Sequence, residues 1–114
     1  MRVKFTDLEP CFVRLTREGN FIGDDDEIVA PDEADGVLFL NPVEFVAKGS
    51  SVGVTSVLVW FRGRVADNVL PGPGRWDVLD RNFETFTLSP SIDLTRGGRL
   101  PGQWHGFVKQ GYVT

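Results

Sequence analysis

Short runs of apolar and β-branched residues, separated by glycines and prolines, make up most of the chain. The thirteen glycines and seven prolines recur at short intervals. The segments between them are rich in Val, Phe, Trp, Ile and Thr, the residues that favour half-buried strands. The pattern predicts short strands over residues 3–5, 11–16, 37–40, 55–61, 75–78, 85–88, 106–109 and 112–114. The last two of these strands are expected to form a hairpin that turns at Gln110–Gly111.

One stretch has the boundaries of a short helix. Pro42 stands where a first helical turn would begin, and Gly49 follows where the last turn would end. Proline is compatible with the first turn of a helix, and glycine commonly ends one. We therefore expect at most two helical turns over 42–48.

The run 57–61, Val-Leu-Val-Trp-Phe, is apolar at every position. Such a run predicts a strand buried on both faces at the centre of the domain. A chain of 114 residues with 41% hydrophobic residues has the size and composition of one ordinary globular domain, 1–114. The predicted fold is mainly β: a single compact antiparallel β domain, either a small sandwich or a partly open barrel, with at most one short helix and a C-terminal β-hairpin.

The cysteine content and the hydropathy indicate a compartment. Cys11 is the only cysteine, so no disulfide forms within the chain, as is typical of a reducing environment. The first residues pass directly into a strand-like alternation, and no run approaches the roughly 18 apolar residues of a membrane helix. We therefore expect a soluble, intracellular protein without a membrane segment.

Charge is distributed unevenly along the chain. Residues 1–57 carry five basic and eleven acidic side chains, whereas residues 58–114 carry seven basic and five acidic ones. Most of the acidic excess comes from the residues 24–27 and 32–35, which hold seven carboxylates. An acidic run of this kind is typical of a solvated loop, and it lacks the oxygen-ligand spacing of a calcium loop. An alternative is that it mimics nucleic acid and occupies a basic groove of a partner. The acidic candidates for partner binding are Asp24, Asp25, Asp26 and Glu27.

A second candidate for partner binding is the loop 69–76, which ends in Arg75 and Trp76, because arginine and tryptophan often anchor interfaces. The arginines at 62, 64, 75 and 81 are scattered among turn residues rather than placed on one periodic face. Their placement argues against direct binding of nucleic acid.

Catalytic motifs are scarce. The sequence contains no Gly-x-Ser-x-Gly elbow, no phosphate-binding loop ending in Lys-Ser/Thr and no His-Glu-x-x-His, and His105 is its only histidine. A triad of Ser91, His105 and Asp93 is conceivable. A serine beside a proline, however, is more typical of a turn whose hydroxyl bonds the nearby backbone. No residue is assigned as catalytic, and the candidates that remain open are Glu44, His105 and Ser91.

Five segments of the sequence together carry a resemblance. They are Gly36-Val-Leu-Phe-Leu40, Trp60-Phe-Arg-Gly63, Pro71-Gly-Pro-Gly-Arg-Trp76, Leu88-Ser-Pro-Ser-Ile92 and Trp104-His-Gly-Phe-Val108. With these segments, the chain is similar to a small uncharacterised domain family of bacteriophages and prophages, whose members are sometimes mislabelled as ammonia monooxygenase. Distant kin of that family lie beside bacterial ubiquitin-like conjugation genes.

The resemblance implies an ancestral zinc site. In the family, a Cys-Pro-x-Cys turn follows the strand 37–40, and a further cysteine stands two residues before the histidine of Trp-His-Gly. These ligands would satisfy tetrahedral zinc, and their positions correspond here to Asn41, Glu44, Gln103 and His105. Only Glu44 and His105 are ionisable donors, which is too few for a structural zinc site. We therefore expect no metal and no other cofactor, and a polar cluster in which Glu44 accepts a hydrogen bond from His105, Gln103 or Asn41.

Three functions stay open on the sequence. The first is a non-enzymatic phage or prophage accessory protein that binds another protein, either a phage assembly component or a host protein, in the host cytoplasm or in the virion. The second is a metal-independent enzyme of the hydrolase type that uses Glu44 and His105 for proton transfer. The third is an acidic, nucleic-acid-mimicking inhibitor of a host defence protein.

Overall fold

The computed structural model of the chain describes residues 1–23, 27–71, 74–94 and 103–114. The named strands pair antiparallel throughout, as the sequence predicts for a mainly β fold. One α-helix, α1 (Pro42–Lys48), and two 3₁₀ turns (Phe5–Leu8 and Pro31–Glu33) accompany them. The strands are β1 Val3–Lys4, β2 Cys11–Leu15, β3 Phe21–Ile22, β4 Gly36–Leu40, β5 Ser56–Trp60, β6 Asp77–Asp80, β7 Thr87–Ser89, β8 Ile92–Asp93, β9 His105–Gly106, β10 Val108–Lys109 and β11 Tyr112–Val113.

A four-stranded sheet has the order β3-β2-β4-β5. Both faces of β5 are covered, as predicted: Val57 and Val59 join the main core, whereas Trp60 packs in a second cluster on the opposite face. In the hydrogen-bonding order, however, β5 is the last strand of this sheet, because β4 lies between β2 and β5. A continuous apolar run indicates that both faces of a strand are buried, but it does not determine which strands pair with that strand in the sheet.

A three-stranded sheet has the order β1-β11-β10 and contains the C-terminal hairpin that the sequence predicts. Its turn residues, Gln110 and Gly111, have φ angles of 49° and 81°. Positive φ at both central residues is the conformation of a tight two-residue hairpin turn. A Cβ atom on Gly111 would lie 2.0 Å from the carbonyl oxygen of Glu84, so glycine is needed here for space as well as for φ.

The two sheets share one hydrophobic core. The inward-facing valines of the three-stranded sheet and those of β4 and β5 belong to the same buried cluster. Phenylalanine rings fill the space between the sheets: Phe5 stacks on Phe86 with ring centres 4.7 Å apart, and it meets the edge of Phe39 at 5.1 Å. Aromatic pairs of this kind add about 0.5–1.5 kcal/mol beyond the area they bury. This aromatic layer therefore packs the three-stranded sheet against the four-stranded sheet.

The helix has the predicted bounds. Pro42 occupies its first turn, and Gly49 adopts φ 68° at its end, where its N–H donates to the carbonyl of Phe45 at 2.9 Å. Glycine is suited to this left-handed position because it has no Cβ. Among the described residues, no helix has the length and apolar character needed to cross a bilayer.

Some strand bounds differ from the prediction. The expected strand 106–109 is two strands, because β9 pairs with β8 and β10 pairs with β11. Gly106 lies at this change of partner, where a Cβ atom would come within 1.8 Å of the carbonyl oxygen of Thr114. The expected strand 75–78 begins later, at Asp77. The two-residue strands β3 and β8 were not predicted, since segments this short carry no periodic signal.

Candidate functional site

Asn41 is the N-cap residue of α1. Its side-chain oxygen accepts hydrogen bonds from the backbone N–H groups of Val43 at 3.0 Å and Glu44 at 3.3 Å. The residue is only 5% exposed. Asparagine is among the best residues at this position because its oxygen satisfies N–H groups that have no partner within the helix. At this position, which the resemblance relates to a zinc ligand, the side chain therefore serves the start of the helix.

Glu44 lies in the first turn of α1 and is 6% exposed. Its carboxylate accepts a hydrogen bond from the hydroxyl of Thr55, the residue before β5. A buried carboxylate needs such a partner, because burying an ionised group without one is costly. The contact ties the helix to the adjacent strand.

His105 lies elsewhere, on β9. It is exposed, and its Nε2 atom is 3.2 Å from the hydroxyl oxygen of Ser91. Asp93 is its cross-strand neighbour in the β8–β9 pair. The structure thus brings together the three residues of the conceivable triad, but among the described residues no hydrogen bond or ion pair joins His105 to Asp93.

Of the four positions that the resemblance relates to zinc ligands, the two with ionisable side chains have separate hydrogen-bond partners. Glu44 is bonded to Thr55 and His105 to Ser91, so within the described residues the hydrogen bond predicted between Glu44 and His105 is absent. The predicted contact between Glu44 and Asn41 is formed by the backbone N–H of Glu44 instead of its carboxylate. Gln103 is half-buried. No group of three or more His, Cys, Asp or Glu side chains in the described ranges could hold a metal ion. These residues therefore do not fit the zinc that the resemblance implies.

Arg75 is buried, with 7% of its surface exposed. All five N–H groups of a guanidinium can donate, and here Nε donates once and Nη1 and Nη2 twice each, always to backbone carbonyls. The Arg75 side chain therefore closes the loop that precedes β6, and its role in partner binding stays a prediction. The acceptors are the carbonyl oxygens of Val65 at 3.1 Å, Pro71 at 3.0 Å, Gly74 at 2.7 Å, Val69 at 2.9 Å and Ala66.

The neighbouring Trp76 is half-buried and packs against the main core. Its indole N–H donates to the carbonyl of Ser91 at 3.2 Å, so most of this side chain also serves the fold. Of the acidic candidates, Asp24, Asp25 and Asp26 lie outside the described residues. The carboxylate of Glu27 is exposed and bonded to the guanidinium of Arg14, and this contact raises the pKa of Arg14.

Two further arginines bond the backbone of the Pro31–Glu33 turn, which follows Glu27 in the chain. Arg64 donates to the carbonyl of Asp32, and Arg81 donates to the carbonyl of Pro31. Partial burial, and then the nearby positive charge of Arg64, lower the pKa of Arg81. These side chains thus hold the Pro31–Glu33 turn.

A different surface gathers exposed aromatic and basic side chains. In the three-stranded sheet, Tyr112 lies directly between Lys4 and Lys109 on the two neighbouring strands. Phe107 and Thr114 form the next pair, since each backbone N–H donates to the other's carbonyl, at 3.4 and 3.0 Å. Cross-strand partners share a face, as do residues two apart on one strand. The outer face of this sheet, called here the C-terminal face, therefore consists of Arg2, Lys4, Phe107, Lys109, Tyr112 and Thr114.

The C-terminal face contains a pocket of about 600 Å³. The guanidinium of Arg2 lies 4.0 Å from the centre of the Tyr112 ring, a cation–π contact that fixes the position of this long side chain. Phe107 is 55% exposed although it is a large apolar residue. The described residues that line the pocket include no acidic one; they are Arg2, Phe107, Lys109, Gln110, Tyr112 and Thr114.

The sequence does contain a signal for this face. Basic or aromatic residues alternate with valines at 2–4, 107–109 and 112–114, as expected of strands with one buried side. Only the pairing of β1 with β11, which joins segments far apart in the chain, shows that the three outer sides are one surface.

Comparison with protein-family models, with curated proteins and with solved structures finds no match to this chain.

Proposed function

We propose that the protein is a non-enzymatic accessory protein of the phage or prophage type that binds another protein through the C-terminal face. The observation that carries the proposal is the exposure of Phe107 beside Tyr112 and three cationic side chains. Aromatic and arginine side chains contribute much of the binding energy at protein interfaces. The Arg2–Tyr112 contact supports the same function, because a side chain that is already ordered loses less entropy on binding.

The phage or prophage setting is supported by the resemblance of five segments of the sequence to that family. The other sequence candidates give less support to an interface. Arg75 and most of Trp76 serve the fold, and Asp24, Asp25 and Asp26 are outside the described residues. The nucleic-acid-mimicking function of the acidic run therefore stays a prediction.

Photo-crosslinking tests the proposal. The photoreactive residue p-benzoylphenylalanine would replace Phe107 in the full chain, and in a control it would replace Val52, which is 80% exposed outside the C-terminal face. After irradiation in the cells that produce the protein, we expect a discrete crosslinked protein band from position 107 and not from position 52. Equal labelling from both positions, or none from 107, would contradict the proposal.

A second candidate function is hydrolysis or acyl transfer at Ser91. The observation that favours it is the 3.2 Å contact between the Ser91 hydroxyl and His105 Nε2, with Asp93 on the opposite strand. A histidine in this position could accept the hydroxyl proton as the serine attacks a carbonyl carbon. A fluorophosphonate probe should then label the wild type and Ser89→Ala but neither Ser91→Ala nor His105→Ala. Labelling that is absent from all four proteins would contradict this candidate.

A further inference from the structure

We infer that the C-terminal face binds an acidic segment of the partner, with carboxylates on both sides of one apolar or aromatic side chain. This inference rests on the proposed function and specifies the chemistry of the partner. It follows from the arrangement of charge and apolar surface on the three strands.

The cationic groups of the face stand on both sides of its centre. Lys4 and Lys109 flank Tyr112 across the sheet, and neighbouring strands are about 4.8 Å apart, so the two lysine Cα atoms are separated by roughly 10 Å. In an extended peptide, the residues two positions before and two positions after a central residue share its face, and their Cα atoms are about 13 Å apart. Flexible lysines can reach carboxylates at that spacing, so an extended acidic segment matches this pair.

The sign of this charge is opposite to that of the whole protein. The chain has a formal net charge of −4, whereas the C-terminal face bears Arg2, Lys4 and Lys109 and no acidic side chain. A local positive surface of this kind steers an anionic partner to the face and raises the association rate.

The apolar part of the face defines the centre of the ligand. Phe107 and Tyr112 line a pocket of about 600 Å³, a volume within the range that accommodates small ligands. One aromatic or long aliphatic side chain can enter such a pocket, while carboxylates two positions before and two positions after it in the partner segment contact the lysines.

Single-stranded nucleic acid is the other anionic ligand to consider, and the geometry favours the protein segment. Bases bind successive exposed aromatic rings, but the guanidinium of Arg2 covers the Tyr112 ring and leaves Phe107 as the exposed ring of the pair.

Titration with defined probes tests the inference. Three fluorescein-labelled probes would be compared by anisotropy at low salt: the peptide Glu-Asp-Glu-Trp-Glu-Asp-Glu, its Gln/Asn analogue Gln-Asn-Gln-Trp-Gln-Asn-Gln, and a ten-nucleotide single-stranded oligothymidylate. We expect the acidic peptide to bind at least tenfold more tightly than either other probe. Lys109→Glu and Lys4→Glu should each weaken its binding at least tenfold. The control Arg17→Glu, a charge reversal at an exposed residue of the β2–β3 turn, should leave it within twofold.

The outcomes separate the inference from the proposed function. Equal binding of the two peptides, tighter binding of the oligonucleotide, or no binding of any probe would overturn the acidic-segment inference. Lys109→Gln, which removes the charge without reversing it, provides a milder variant if Lys109→Glu fails to fold. If a partner crosslinks at position 107 and this crosslinking does not change in Lys109→Gln, the proposed function stands and the inference fails. If position 107 crosslinks no protein, the proposed function itself fails.

Discussion

The carboxylate of Glu44 accepts the hydroxyl hydrogen of Thr55, and this bond joins helix α1 to the segment that enters β5. Asn41, three residues before Glu44, caps the same helix. Both positions correspond to zinc ligands in the family that the sequence resembles. In this protein the Asn41 side chain accepts hydrogen bonds at the start of the helix, and the Glu44 side chain bonds the segment before β5.

Breaking the Glu44–Thr55 bond should destabilise the fold. A hydrogen bond to a charged group is worth about 1.5–3 kcal/mol, so Glu44→Ala and Thr55→Val should each lower the free energy of unfolding by roughly this amount. His105→Ala, at an exposed residue, should change it by less than about 0.5 kcal/mol. Urea unfolding measures all three variants. The same loss in His105→Ala as in Glu44→Ala would show that the two residues act as one cluster after all.

Arg75 provides a second test of a structural role. Arg75→Met would leave five backbone carbonyls without their donor, and each buried unsatisfied acceptor costs about 1–3 kcal/mol. Some of these carbonyls will reach water, so we expect a loss of at least about 3 kcal/mol. Arg17→Met, at an exposed arginine, should change stability by less than about 0.5 kcal/mol. Thermal or urea unfolding compares the pair, and equal stability of the two variants would refute the role of Arg75.

The features that the sequence predicted are those whose signals are local. Pro42 and Gly49 bracket the helix, and Gly111 marks the hairpin turn, so each could be found within a few residues. The role of Arg75 could not be predicted in this way, because it depends on where a folded loop places its carbonyl groups. A run of prolines and glycines leaves many carbonyls without strand partners, and in hindsight that feature indicated a buried donor.

The C-terminal face was missed for a related reason. Each of its three strands shows the alternation of one buried and one exposed side, but the pairing of β1 with β11 joins distant parts of the sequence. The hydrogen bond predicted between Glu44 and His105 is a different case. The resemblance in sequence groups these two residues, whereas in the structure Glu44 bonds Thr55 and His105 contacts Ser91.

Substitutions at two glycines allow the cost of a left-handed backbone to be measured apart from the cost of steric overlap. Gly19 and Gly111 have φ angles of 83° and 81°, but a Cβ on Gly19 meets no atom within 4 Å, whereas one on Gly111 would lie 2.0 Å from the Glu84 carbonyl oxygen. Gly19→Ala should cost about 1–2 kcal/mol from the left-handed backbone alone. Gly111→Ala should cost clearly more, because β10 and β11 must also shift away from Glu84. Equal unfolding midpoints for the two variants would show that the hairpin accommodates the methyl group freely.

Asp80 gives a pH-dependent contribution to stability. Its carboxylate accepts hydrogen bonds from the backbone N–H of Asn82 at 2.9 Å and from the hydroxyl of Thr85 at 2.8 Å, and these bonds lower the pKa of Asp80. A folded-state pKa below the unfolded value of about 3.9 means that ionised Asp80 stabilises the fold above that pH. The stabilisation is lost as the pH falls through the folded-state pKa.

The stability difference between wild type and Asp80→Asn should therefore be constant near neutral pH and should narrow as the pH falls below about 4. Thr85→Val removes the hydroxyl donor and leaves the backbone N–H of Asn82. The stability difference between wild type and Thr85→Val should therefore be smaller and should depend on pH in the same way. Thermal unfolding of the three proteins between neutral and strongly acidic pH measures both effects. A difference that stays constant over the whole range would mean that the bonds to Asn82 and Thr85 do not depend on the charge of Asp80, and that the turn after β6 is held by its backbone alone.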